Sequence, residues 1–256
     1  MKISWISYAS PIRDQKSCGS CSSFGTIGAL EILIRLKEGN KDLDIDLSES
    51  DLFACSGGKC DQGNTMEATF KKALRGICLE SCLPYADYDR SCGQDRCSEW
   101  WKNGKKIKTW RSISSISEMR DLLLSGPLVG VMAVHQSFIY YKSGVYHSLG
   151  ATDPIVGNHC ISILGFDDDL GAWLLRNSWS TFWGEKGYCW IKYGDSEIDQ
   201  IMYYIEPDGE LDPDPEPVPI CPVSSLIYHI PFIGKSLLKY LRYIRLKIFG
   251  IAPGNP

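Results

Sequence analysis

The sequence predicts an α+β protein with a helical first half, a β-rich second half and a cleft between them. Three observations carry this. Apolar residues at helical spacing (Phe24, Ile27, Leu30, Ile34) follow Cys21. Short Val- and Ile-rich runs at Leu128–Val134 and Cys160–Phe166 read as buried strands. The character changes near Lys108, after a loop-like, cysteine-rich stretch over 78–104 broken by Pro84, Gly93 and Gly104.

The first helix starts at Cys21, within Gln15-Lys16-Ser17-Cys18-Gly19-Ser20-Cys21, and Gly39 is its expected C-cap. A thiol at a helix N-terminus faces the positive end of the macrodipole, which favours thiolate. Gly19 allows a close turn into this helix, and Gly25, Gly28 and Ala29 allow close packing, so the helix is expected to be buried. Leu47-Ser48-Glu49-Ser50-Asp51-Leu52 starts a second helix with Ser48 as N-cap. Thr65–Arg75 reads as a third, stopped by Gly76. Further strands are expected at Trp173–Arg176 and Tyr188–Lys192.

Beyond Tyr204 the composition shifts again. Residues 207–223 form an acidic, Pro-rich linker, and 224–256 a basic tail. Within the tail, 234–250 has helical spacing, with Lys235, Lys239, Arg242 and Arg245 on one face. Such a helix suits an anionic membrane surface or a protein partner. The alternatives are a helix folded back onto the protein and a disordered tail.

The chain has 256 residues, 44% hydrophobic and 23% charged, with net charge −4. That is ordinary for a globular protein and gives no reason to expect nucleic-acid binding. Residues 1–11 lack the long apolar core of a secretory signal, and no run of eighteen apolar residues occurs. Eleven cysteines point to disulfides and an oxidising compartment, extracellular or lysosome/vacuole-like; the odd total leaves at least one outside any intramolecular bridge.

A cysteine nucleophile needs a base, and the base needs a group that orients it. His159 lies in Gly157-Asn158-His159-Cys160 and Asn177 in Arg176-Asn177-Ser178-Trp179, both far downstream of Cys21. At Gln15–Cys21, Leu47–Cys55 and Asn177–Tyr188 the sequence resembles the papain-like cysteine peptidases, the group that includes the cathepsins. The resemblance spans about Trp5 to Pro207. It implies a two-lobed fold over 1–206, with a helical lobe at about 12–108 and a β-barrel-like lobe at about 109–206.

The resemblance implies roles. Cys21 attacks the scissile carbonyl as thiolate, His159 is its imidazolium partner, and Asn177 orients His159 under the shield of Trp179. The Gln15 carboxamide and the Cys21 N–H form the oxyanion hole, where one lost donor typically costs ~10²–10³ in rate. Trp183 lines the leaving-group side, and Gln62 and Gly63 supply backbone to the substrate. Met202 or Tyr203 contributes to the main specificity pocket. Polypeptides are the substrates, a propeptide or protein inhibitor is a further partner, and no cofactor or metal is required. The paired-His insertion of carboxypeptidase relatives is not visible, so endopeptidase action is expected. Disulfides are implied for Cys18 with Cys60 and Cys55 with Cys92; Cys82 with Cys97 is a further suggestion, and Cys160 and Cys189 are expected as buried thiols.

The departures from the family pattern are Ser22, where Trp or Tyr is usual, Gln62 for a second glycine, and Ser180 and Phe182 for small residues. Two other readings stand beside the enzyme. One is an idle peptide-binding homologue. The other is a structural zinc site from Cys18, Cys21, Cys55 and Cys60. His135, His147 and His229 are read as structural, Trp100, Trp101, Trp173 and Trp190 as core, and Asp167-Asp168-Asp169 as a solvated turn.

Overall fold

The computed structural model describes residues 1–208. The linker from 209 on, the tail helix over 234–250, Cys221 and His229 lie outside the described residues. The helices are α1 (Cys21–Lys37), α2 (Glu49–Cys55), α3 (Met66–Ala73) and α4 (Ile116–Leu123). The strands are β1 (Lys2–Ser4), β2 (Ile107–Ile113), β3 (Leu128–His135), β4 (Val145–Tyr146), β5 (Ile155–Asp167), β6 (Ala172–Arg176), β7 (Tyr188–Lys192) and β8 (Met202–Pro207). They form one sheet in the order β2-β8-β3-β5-β6-β7-β4, with β1 added to β5. All pairs are antiparallel except β4 with β7. Three helices precede the long sheet, as the α+β reading requires. Among the described residues, no helix is long and apolar enough to cross a membrane.

The helix ends follow local chemistry. Ser48 Oγ accepts from Asp51 N at 3.0 Å and caps α2. The Asp51 carboxylate does not return the bond. It is fully buried and takes Lys72 Nζ (3.2 Å), Cys78 N (3.0 Å) and Arg96 instead. Two cations and a backbone donor offset the cost of burying that charge. At the end of α1, Asn40 N reaches Arg35 O (3.0 Å) and Gly39 N reaches Leu36 O (3.2 Å), with Gly39 at φ 60°. This is a Schellman cap, and its left-handed position favours glycine.

The helix α1 is buried on nearly every side, its hydroxyls and Glu31 included. It packs directly on β5. A Cβ at Gly25 would lie 2.6 Å from Cys160 Sγ and 3.0 Å from Ile161 N, and one at Gly28 would meet Arg176 and Ser162. Glycine there brings the start of α1 against the strand that carries His159.

Some expectations need correction. The strand expected at Cys160–Phe166 begins at Ile155, so His159 sits inside it. Of the acidic triplet, Asp168 and Asp169 lie in an exposed turn as expected, and Asp167 does not. Asp167 is buried at the end of β5 and pairs with Lys2 at 2.9 Å. Asp168 binds Arg120 (2.5 Å) and the Met1 amine (3.1 Å). Trp173 is fully buried, and Trp190 is half-buried. Trp100 and Trp101 are half-buried in a loop rather than core, with Trp100 facing Arg96 (4.4 Å) and Lys72 (5.2 Å).

Candidate active site

Cys21 opens α1, and its neighbour β5 presents His159 and Cys160. The site therefore forms where the first helix meets the central strand. Cys21, His159 and Gln15 are fully buried, as nearly is Asn177 at 2% exposure.

One hydrogen-bond pattern fixes the histidine. His159 Nε2 lies 2.8 Å from Asn177 Oδ1, and the same oxygen accepts from Ser178 N at 2.8 Å. A backbone N–H can only donate, so that Asn177 atom is the carbonyl oxygen. Nε2 must then carry the ring proton. Nδ1 is left as the acceptor, buried and without another partner among the described residues. The Trp179 ring covers this pair, 4.7 Å from the imidazole and inclined by 31°. Trp179 is held behind by Phe138 (5.7 Å) and Trp183 (5.4 Å), and Trp183 Nε1 donates to Phe138 O at 3.2 Å.

Gln15 is fixed in the same way. Its Oε1 accepts from Ser178 Oγ at 2.6 Å, and its Nε2 donates to Cys18 O at 2.9 Å. The amide orientation follows, with one Nε2 hydrogen left over. Gln15 N also donates to Ser178 O at 2.9 Å. The residue after Asn177 thus holds Gln15. Ser178 was part of the quoted motif, but its role needs the fold to be seen.

The electrostatics work against charge on the expected Cys21–His159 pair. Burial pushes the Cys21 thiol up to about 12, against smaller opposing contributions from the N–H groups of Cys160, Ser22 and Cys21. Burial likewise lowers His159 to about 4, although the Asn177 bond raises it. Burial thus disfavours charge on both groups. Burial therefore opposes the helix-start preference for thiolate.

Among the described residues three disulfides join Cys18–Cys60, Cys55–Cys92 and Cys82–Cys97, while Cys21, Cys78, Cys160 and Cys189 are buried thiols. With Cys18, Cys55 and Cys60 bonded to other sulfurs, the four-cysteine zinc arrangement is not formed. Cys18–Cys60 also brings the loop at 59–63 against the turn before Cys21: a Cβ at Gly19 would lie 3.0 Å from Cys60 O and from Gly63 N. Gly63, at φ 79°, is buried there, and Gln62 is exposed. Ser22 is buried with no hydroxyl partner among the described residues. Tyr203 packs between Phe70 (5.2 Å) and Trp110 (6.3 Å), and Met202 is fully buried. His135 Nδ1 sits 2.7 Å from Asp153 O and His147 is exposed; neither joins the site.

Fold and site together define a two-part α+β protein with cysteine, histidine and asparagine gathered where helix meets sheet. The model of the papain family cysteine proteases matches residues 3–205. The chain belongs to that family. Cathepsin K of Gallus gallus is 32% identical over 190 residues, covering 71% of this chain and 54% of the relative. Digestive cysteine proteinase 2 of Homarus americanus is 36% identical over 192 residues, covering 70% and 56%. The chain thus spans about half the length of the curated relatives it matches. The bromelain protease of Ananas comosus, solved with the E64 inhibitor, shares the fold at TM-score 0.67 and 22% identity, covering 80% of this chain and 98% of that one. A procathepsin B of Trypanosoma congolense gives 0.68 at 22%, covering 79% and 73%.

Proposed function

We propose that this chain is a cysteine endopeptidase that cleaves peptide bonds through an acyl-enzyme on Cys21. The observation that carries the reading is the tautomer fixed by Asn177, which leaves His159 Nδ1 as a buried acceptor with no other partner among the described residues. A ring so held can take one proton and return it to a different atom.

In the reaction the Cys21 proton moves to Nδ1 as Sγ bonds the peptide carbonyl carbon. The carbonyl oxygen becomes negative and takes hydrogen bonds from Gln15 Nε2 and the Cys21 N–H. The Nδ1 proton then passes to the amine, the C–N bond breaks, and a thioester remains. Water attacks the thioester with His159 as base, releasing the acid and restoring the thiol. Burial disfavours charge on both groups, so Cys21 gains nucleophilicity as bound substrate makes charge tolerable there. Gln62 and Gly63 offer backbone to an extended peptide, and Trp183 borders the departing side. Polypeptides are the substrates, and a propeptide or protein inhibitor would occupy the same site. The three disulfides fit an oxidising compartment, extracellular or lysosome-like. The peptidase unit is assigned to 1–206.

The test is hydrolysis of a fluorogenic peptide by the full chain and by Cys21→Ala, with iodoacetamide labelling mapped by peptide mass. The expected result is loss of turnover in Cys21→Ala and inactivation that tracks label on Cys21. Full activity in Cys21→Ala would overturn the proposal, as would binding of the peptide without turnover by the unmodified chain.

A further inference from the structure

Tyr85 lies in the loop after Pro84, outside the three motifs, and its hydroxyl reaches both chain segments of the oxyanion hole. It donates to Gln15 O at 2.8 Å and lies 2.7 Å from Ser20 Oγ. A phenol has one hydrogen, so with that hydrogen on Gln15 O the serine must donate to Tyr85. Ser20 stands directly before Cys21 at the N-cap of α1, yet its side chain makes no capping bond. Its hydroxyl serves Tyr85 instead. The Tyr85 ring packs edge-on against Phe24, one turn into α1, at 4.8 Å and 78°. Burial raises the phenol well above its ordinary range, so it stays a donor at any working pH.

The loop that carries Tyr85 is itself fixed. Tyr85 N donates to Glu80 Oε1 at 2.7 Å and Ala86 N to Ser50 Oγ at 2.9 Å. Cys82–Cys97 and Cys55–Cys92 close it on either side. Gln15 is then gripped from two directions, by Ser178 on its N–H and carboxamide oxygen and by Tyr85 on its carbonyl.

We propose that Tyr85 is a positioning residue for the oxyanion hole, setting the spacing between Gln15 and the Cys21 N–H through the Gln15 carbonyl and the Ser20 hydroxyl. The inference rests on the peptidase reading above. Tyr85 touches no reacting atom; it acts by holding two donors where charge develops, and misplacement of such groups by about 1 Å can cost ~10² in rate.

Tyr85→Phe keeps the ring on Phe24 and removes only the hydroxyl. It is expected to lower kcat about tenfold with KM within about twofold. Affinity for a peptide aldehyde, whose hemithioacetal oxygen occupies the oxyanion hole, should fall by a similar factor. The rate of Cys21 alkylation by iodoacetamide, which uses no oxyanion hole, should stay unchanged. In a Gln15→Ala background most of the tenfold loss should disappear, because one of the two donors is already gone. Ser20→Ala, which severs one of the two links, should lower kcat about threefold and serves if Tyr85→Phe folds poorly.

An unchanged kcat in Tyr85→Phe overturns the proposal. So do losses that multiply fully with Gln15→Ala, and an alkylation rate that falls as far as kcat. If the unmodified chain shows no turnover, or Cys21→Ala retains it, the peptidase reading fails instead, and the two failures are told apart.

Discussion

At the residue scale the site turns on one carboxamide. Asn177 Oδ1 takes both His159 Nε2 and Ser178 N at 2.8 Å, so a backbone donor decides which imidazole nitrogen carries the proton. Neighbouring Ser178 in turn orients Gln15 through its hydroxyl and carbonyl. His159 and Gln15 are thus oriented by two consecutive residues just beyond β6. Asn177→Ala should lower kcat/KM about 10–100-fold, the worth of a hydrogen bond to a group that becomes charged, about 1.5–3 kcal/mol. KM should move little, since Asn177 acts on the base rather than the substrate. Steady-state kinetics on a fluorogenic peptide check this, with kcat carrying most of the change. The candidate residues could be named from the sequence because three separated motifs occur in order. Tyr85 was not legible: a tyrosine after Pro84 in a cysteine-rich loop carries no periodicity or spacing that distinguishes it. Nor was the pull of burial on the Cys21 thiol, because a helix start shows in the sequence and the full depth of burial does not.

At the scale of elements, the packing of α1 on β5 joins the helix that starts at Cys21 to the strand that carries His159. Gly25 and Ser162 define it: a Cβ at 25 has no room beside Cys160 Sγ, and Ser162 Oγ donates to Gly25 O at 2.9 Å. Gly25→Ala gains about 1 kcal/mol of helix propensity but must push α1 from the strand, an overpacking cost of about 1–3 kcal/mol or more. The nearest backbone atom, Ile161 N, cannot swing aside as a side chain can. Net destabilisation is expected, read as a lower denaturant midpoint, with a loss of kcat as Cys21 moves from His159. The long apolar helix and the Val/Ile runs showed in the sequence because burial on one face or all faces leaves a pattern. Helix α4 was missed although Ser115-Ile116-Ser117-Glu118 carries a capping signal, and Ser115 Oγ does accept from Glu118 N at 3.4 Å. Strands β2 and β8 pair along the sheet edge with mixed exposure and a register shift near Thr109, so neither shows clean alternation.

Across the whole molecule, buried carboxylates tie the N-terminal arm, α1 and α2 together. Glu31 accepts from Ser10 Oγ and from Leu47 N at 2.9 Å, while Arg35 reaches Tyr8 O (3.1 Å) and Ile45 O (3.1 Å). Glu49, also buried, has its pKa raised well above 4.5, first by desolvation and then by the like charges of Glu31 and Glu80, with Arg13 opposing. A carboxyl raised on folding stabilises most below its unfolded pKa, and that contribution is lost as pH rises through the folded value. His159 works in the opposite sense: lowered from 6.5 to about 4, it contributes fully above 6.5 and less as pH falls toward 4. The overall pH–stability curve mixes both, but Glu49→Gln isolates the first. The amide stands in for the protonated acid, so Tm of Glu49→Gln minus Tm of the unmodified chain should be near zero at pH 4.5. It should grow to at least about 2–4 °C by pH 7, the response of a domain this size to about 1 kcal/mol. Melting curves across that range decide it: a difference that does not change with pH would mean that Glu49 ionises in the folded protein as it does in the unfolded chain.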